Sequence, residues 1–543
     1  MSRSICQGRF VDQSGNIVPD GSVTVFLAGT TTQALIYTQL AGGSSTYFVT
    51  TDVEGRFFFY VDDSDYLTSQ RFKVVLSKGG YETQTYDQMI LFGGTLDHTA
   101  SLVTSIGSPG TDTNVPSEKA VRTAIEVGVT YTNVKYPEYG AIGNGSHDDT
   151  SAIAAAITAC PNGGVIFFPP GNYLISNYLN ITVSYLGILG CGMNNSKITS
   201  NSTTLDVLRF TGAIGSPISN NFARDITLTR QSSTPSAGTG VALSYTSQPL
   251  IQNVEVRNAV KGVSISNTNN LHAEGVWVFR TAGSDTCYGF YFDGTAVSSL
   301  VMKRCLAYFP GQTGTNYGVY LFGTAINDSF FDTVETSACV YGYYIGSGGV
   351  TNYDVQIINP IVDQFTNSGI YIANNTTADT MLISILGGWT NPKNTGATTY
   401  NMNFASASGI SVSAGHQFFA GTNYANATGL YINGSNRVSC IGNKFRDFLY
   451  GVSSASTNLM NKVDLNDFYN VSGQAATTMI NCVSMSRGTI LGNVFDGYAT
   501  NGIVLNANSN DNEVLGNVFN PGSITNKITD NGISNDVAHN ITA

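Results

Sequence analysis

Charge is what this chain has least of. Asp, Glu, Lys and Arg make up 11% of its 543 residues, against about 25% in an average domain. So little charge is too little for solvated, salt-bridged helices and suits strands joined by tight turns. The balance is acidic, at −11. No stretch gathers Lys and Arg into the stripe that neutralises phosphates, which argues against nucleic acid. No apolar run reaches the roughly 18 residues of a spanning helix, so no membrane insertion is expected. The start, MSRSICQGRFVDQ, lacks the apolar segment of a signal peptide, and synthesis in a cytoplasm without export by that route is expected. The 8 cysteines form no CxxC pair and read as buried free thiols. The 5 histidines show no metal-ligand spacing. GxSxG, HExxH and P-loop motifs are absent. Neither a metal nor a cofactor is expected.

What is abundant is glycine, 59 residues, and much of it is periodic. Gly followed by apolar-x-apolar recurs at Gly262, Gly289, Gly318, Gly342 and Gly369, and again at Gly409, Gly429 and Gly502. A phenylalanine column follows at Phe445, Phe468, Phe495 and Phe519. A repeat of roughly 25 residues containing period-2 strands means a β-solenoid, with turns stacked at the inter-strand spacing of about 4.8 Å. The middle positions Tyr291, Tyr320, Tyr344, Tyr371 and Tyr431 should face outward as a stripe, either packing subunits together or stacking sugars. The interval Gly369 to Gly409 is too long for one turn. Either a loop carrying Trp389 is inserted or a marker glycine is missing.

Upstream, Tyr139–Ser176 reads YGAIGNGSHDDTSAIAAAITACPNGGVIFFPPGNYLIS. A Gly/Asn turn leads through Asp148, Asp149 and Thr150, read as capping and turn residues, into a helix over Ser151–Cys160. Pro161–Gly164 stops the helix, and two short strands follow. This segment closely resembles the entry of the pectate-lyase-like right-handed β-helix family, in the form found in bacteriophage tailspikes and tail fibres. The resemblance implies a fold: all-β, a right-handed parallel β-helix over residues 131–520, with a short tail over 521–543.

The first hundred residues pattern as strands every ten to fifteen residues, a small β-sandwich over 1–103. VDQSGNIVPDGSVTVFLAGT followed by TDVEGRFFFYV resembles the transthyretin-like modules that open many phage tail fibres. That implies an adaptor to a phage tail or baseplate protein. Residues 104–130 read as a linker and a short helix. Its PSEKAVRTAI run resembles a tail-fibre neck, and the family likeness implies a homotrimer carried on the virion.

For chemistry, acidic residues remain. Hydrolysis of a glycosidic bond needs paired carboxylates. Aligning turns on the inward residues Val254, Val276, Cys305, Val334 and Ile361 stacks Gln252, Glu274, Lys303, Asp332 and Asn359 in one column. Glu255, Trp277, Leu306, Glu335 and Val362 fall in a second. The acid/base pair is expected to be Asp332 with Glu335 or Glu274, with Asp363 in reserve. Trp277, Lys303, Arg304, Arg280 and Trp389 are expected to bind substrate. Three functions fit: hydrolysis of a bacterial surface polysaccharide (capsule, O-antigen or exopolysaccharide), a lyase on a uronic-acid polymer using Arg280, Lys303, Arg304 or His272, and a non-enzymatic receptor-binding fibre.

Overall fold

The structure, a computed structural model, describes all residues except 1–2, 13–14, 68, 92–130, 295, 323–324, 347–352, 374–382, 472–475, 522 and 543. The chain divides into Met1–Val129 and Thr130–Ala543.

In the first unit, alternating strands such as Ser22–Leu27 and Arg71–Ser77 bury every second residue. They build two antiparallel four-stranded sheets that close on Phe10, Val23, Val25, Phe59, Phe72 and Val74. The neck helix expected within 104–130 lies outside the described residues.

The second unit is a parallel β-solenoid: among the described residues 44 strands form one continuous hydrogen-bonded network. Each turn in its middle contributes three short strands, as in His272–Glu274, Trp277–Phe279 and Cys287–Asp293. Stacking such strands turn upon turn gives three parallel ladders. At the entry, the helix Thr150–Ala159 buries Ile153 and Ala156. Asp148 accepts from the Thr150 backbone N–H at 3.0 Å. Asp149 does not cap the helix. It is fully buried and instead accepts from the backbone N–H groups of Ile142 and Gly143 at 2.8 and 2.9 Å, which pins the glycine-rich turn.

The glycine column is a close-approach column. A Cβ at Gly289 would lie 2.5 Å from the Gly318 carbonyl oxygen, and one at Gly318 would lie 2.6 Å from that of Gly342. The long interval after Gly369 is resolved by register. Ser368 pairs with Tyr400 and Ile370 with Met402, so Asn401 takes the glycine's place, and Gly409 belongs to another ladder. Trp389 is accordingly in a strand, Trp389–Pro392, and not in an inserted loop. The polar stretch after 520, expected to be a tail, also joins the solenoid: Ser523–Asp530 pairs with Val494–Leu505 over six registered positions.

The core is layered by residue type. Phe418, Phe445, Phe468, Phe495 and Phe519 stack face to face with centroids 4.1, 4.7, 5.0 and 4.7 Å apart. Beside them runs a buried asparagine ladder that sequence reading missed. The Asn466 backbone N–H donates to Asn493 Oδ1 at 2.9 Å, and that of Asn493 donates to Asn517 Oδ1 at 3.0 Å. The Asn493 side-chain amide closes onto the Val463 carbonyl at 2.7 Å.

Candidate active site

The first and second ladders meet at a one-residue bend. Asn253, Gly275, Arg304, Thr333 and Asn359 occupy it in successive turns, with φ of 51°, 62°, 51°, 53° and 48°. This left-handed conformation is uncommon for a residue with a side chain. It turns the chain sharply, so the residue just before the bend and the residue two beyond it both face outward. The register confirms two outward columns there. Before the bend, Gln252, Glu274, Lys303 and Asp332 are paired in turn. After it come Glu255, Trp277, Leu306 and Glu335; of these Glu255 is covered, accepting from Thr227 Oγ1 at 3.1 Å and from Arg257 at 2.6 Å.

The next turn departs from the alignment read in the sequence. Asp332 pairs with Ile358, not Asn359, and Glu335 pairs with Ile361, not Val362. Ile361 was taken as the inward residue. The buried corner position is Pro360, and Val362 points into the core. Searching for an aliphatic residue passed over a proline that does the same packing.

This register decides the environment of Glu335. In its column Leu306 lies above and Ile361 below, so the half-buried carboxyl has apolar neighbours on both sides. Asp363 is its diagonal neighbour, facing Ser337 on the adjacent strand. Strand geometry puts the two Cα atoms about 8 Å apart. Burial first, and the charge of Asp363 second, hold the Glu335 carboxyl above the ordinary range. Asp363 accepts from Asn391 Nδ2 at 3.1 Å. Asp332, on the near side of the bend, accepts from Thr333 Oγ1 at 3.0 Å.

The remaining expected site residues divide. Glu274 does stack two turns from Asp332, but it is tied up. Arg304 donates to one oxygen, and Gln252 Nε2 donates to the other at 3.2 Å. The hydrogen bond from Arg304 is the first cause of a lowered Glu274 pKa, which makes it unfit as a proton donor. Lys303 is exposed between Glu274 and Asp332. Trp277 is exposed and meets Phe279 edge-on at 6.4 Å; Phe279 meets Tyr308 in the same way at 6.2 Å. Arg280 is fully buried, donating to the carbonyls of Ala282 and Pro235 at 3.3 and 3.2 Å. The expectation that it meets substrate at the surface is corrected: it braces loops. Trp389 is two positions below Glu335 in the same column.

Residues 131–383 match the family described as rhamnogalacturonase A/epimerase, pectate lyase-like. The match lies within the solenoid and ends well before it does. Among solved structures, the tailspike protein of E. coli bacteriophage HK620 in complex with pentasaccharide aligns at TM-score 0.59 and 12% identity, over 78% of this chain and 81% of that one. A variant of it in complex with hexasaccharide aligns at 0.60 and 13%, over 78% and 80%. At such identity the likeness is one of fold. The mannuronan C-5 epimerase A-module of Azotobacter vinelandii aligns at a TM-score of only 0.39, with 17% identity, over 76% of this chain and 99% of that one. Among curated protein sequences none matches the chain. The solenoid thus sets Glu335 and Asp363 on neighbouring strands, just past the bend between two ladders.

Proposed function

We propose that the protein is a phage tailspike that binds a bacterial surface polysaccharide (capsule, O-antigen or exopolysaccharide) and hydrolyses it at internal glycosidic bonds. One observation carries this: the Glu335 carboxyl stands between Leu306 and Ile361 in its column, diagonal to Asp363, and burial first and the charge of Asp363 second raise its pKa. A carboxylic acid kept neutral by apolar neighbours beside a second carboxylate is the arrangement that donates a proton to a leaving sugar oxygen. Asp363 serves as the base, with Asp332 across the bend as the alternative partner.

The tailspike fold supports the substrate class, since the HK620 tailspike is seen with bound oligosaccharide. The lyase reading needs a cation at the sugar carboxylate. Of the candidates, Arg280 is buried and Arg304 is engaged by Glu274; Lys303 is exposed beside Asp332 and His272 lies 3.8 Å from Glu274, while the column neighbours of Glu335 are aliphatic. The homotrimer draws support from the third ladder. There Tyr291, Tyr320, Tyr344 and Tyr371 stack with centroids 5.4, 5.3 and 4.8 Å apart, and Tyr288, Tyr317 and Tyr341 stack beside them at 5.3 Å. Ring faces covered by one another cannot receive sugars, which leaves this slab suited to another protein surface. Attachment to a phage tail or baseplate protein through the N-terminal unit, and hence a place on the virion at the bacterial surface, rests on the sequence resemblance of that unit.

The test is incubation with purified bacterial capsular and O-antigen polysaccharides. New reducing ends without ultraviolet absorbance from an unsaturated sugar mean hydrolysis. Such absorbance means a lyase, and tight binding without cleavage means an adhesin.

A further inference from the structure

Two turns beyond Glu335, the same outward face forms a second feature that the acid/base chemistry does not use. Trp389, Asn391, Gln417, Phe419, Gly421 and Arg446 line a surface depression of about 680 Å³, within the roughly 300–1,000 Å³ of small-molecule sites. Trp389 differs from the tyrosine slab in what surrounds its ring. Its column neighbours are Ile361 and Gln417, so no ring is stacked on it among the described residues. Its ring contact is edge-on, to Phe419 at 6.5 Å and 75°. Gly421, at φ 56°, puts no side chain into the depression. Arg446 pairs through Nε with Asp447 at 3.2 Å, yet its side chain remains 55% exposed. Its guanidinium carbon lies 5.9 Å from the Tyr469 ring centroid, and among the described residues no hydrogen bond engages its terminal N–H groups.

An aromatic wall combined with an exposed amide and an exposed guanidinium matches the amphipathic build of a pyranose: C–H groups on its faces and hydroxyls around its rim. We infer that this depression is a glycan subsite, distinct from the carboxylate pair, that takes a sugar ring against Trp389 with hydroxyls toward Gln417 and Arg446. The inference rests on the reading of Glu335 and Asp363 as a glycan-cleaving pair. Glu335, Ile361 and Trp389 are consecutive in one column, so the subsite is roughly 10 Å from the acid, two inter-strand spacings. That is the reach of a disaccharide running along the solenoid axis. Trp277, two turns to the other side of Glu335, would receive the chain leaving in the opposite direction. The scissile bond then lies inside a bound oligosaccharide, with binding energy drawn from both sides.

The chain has only 2 tryptophans, so in a Trp277→Phe protein all indole emission comes from Trp389. The probes are purified bacterial capsular and O-antigen polysaccharides, with size-fractionated oligosaccharides prepared by mild acid from whichever one binds. A saturable change in emission is expected, and Arg446→Met should weaken it. In otherwise unchanged protein, Trp389→Ala should lower kcat/KM for long oligosaccharides by about three- to tenfold. It should leave unchanged the turnover of those too short to reach from the cleaved bond to Trp389. Emission that stays constant with every polysaccharide, or equal loss on short and long substrates, overturns the subsite. Saturable emission with no cleavage upholds the subsite and refutes the hydrolase reading. Cleavage abolished by Glu335→Gln but untouched by Trp389→Ala does the reverse.

Discussion

Under the proposed hydrolysis, replacing Glu335 by Gln should separate catalysis from stability. The substitution keeps size and polarity but removes the proton. Loss of a positioned general acid costs about 10²–10⁴ in rate, or about 3–5 kcal/mol of transition-state stabilisation. A residue that served packing would lose stability together with activity. Glu335 should do the opposite. Its folded-state pKa is raised, chiefly by burial, so the folded protein holds the proton more tightly than the unfolded chain. The associated stability is fully present at low pH and is lost as pH rises through the folded pKa. Above that pKa the wild type carries a half-buried charge beside Leu306, Ile361 and Asp363, and the neutral amide does not. Thermal unfolding should therefore place the Gln variant at or above the wild-type Tm at pH 8, with no such advantage at pH 4. Release of reducing ends should fall by at least about a hundredfold. A variant that unfolds earlier at pH 8 while still cleaving would refute both the role of Glu335 and the account of its environment.

Asp363→Asn should slow cleavage comparably. It also removes a charge that raises the Glu335 pKa, so the alkaline limb of any residual kcat/KM profile should move to lower pH; a limb that stays put would mean the carboxyls do not interact. Glu274→Gln should leave the rate within a few-fold of wild type, because that carboxylate is engaged by Arg304 and Gln252; a hundredfold loss would return it to the acid/base pair. Asn493→Ala strips the Asn466 backbone N–H and the Val463 carbonyl of buried partners. A loss of about 1–3 kcal/mol in denaturant unfolding is expected, and no loss would show the ladder to be dispensable. Light scattering of the full chain should give three times the monomer mass, and Tyr317→Arg should lower it; a monomer in the unaltered protein would refute the tyrosine slab as an interface.

The solenoid was legible in the sequence because its constraint repeats. Wherever a Cβ would strike the carbonyl of the next turn, glycine recurs, as at Gly289 and Gly318. Period and fold can both be read from that column. The same logic fails where another residue meets the constraint, as Asn401 does in place of the missing glycine. The site was legible only to its neighbourhood. Both columns flanking the bend were read correctly down to Asp332 and Glu335, then slipped by one residue because Pro360 fills the inward corner. That slip hid Ile361 as the lower neighbour of Glu335. The useful signal was present: an acidic residue standing in an outward column directly after Leu306. Gln252 stood next to Glu274 in the aligned column and Arg304 in the bend beside it, so the engagement of Glu274 was within reach. The burial of Arg280 was not, because the loop carbonyls of Pro235 and Ala282 that hold it leave no periodic trace. The asparagine ladder did leave one, at Asn466, Asn493, Asn517 and Asn540. It was missed because polar residues were searched for chemistry and not for core packing.

The left-handed bend bears on how such a protein can change its target. Apart from the buried Glu255, the residues on either side of it point away from the core, so altering them disturbs little of what keeps the chain folded. Glu274, Lys303 and Asp332 occupy equivalent places yet share no chemistry, and neither do Trp277, Leu306 and Glu335. A lineage could rewrite these columns one turn at a time as its ligand changed, while the glycine and asparagine columns beneath remained as they were.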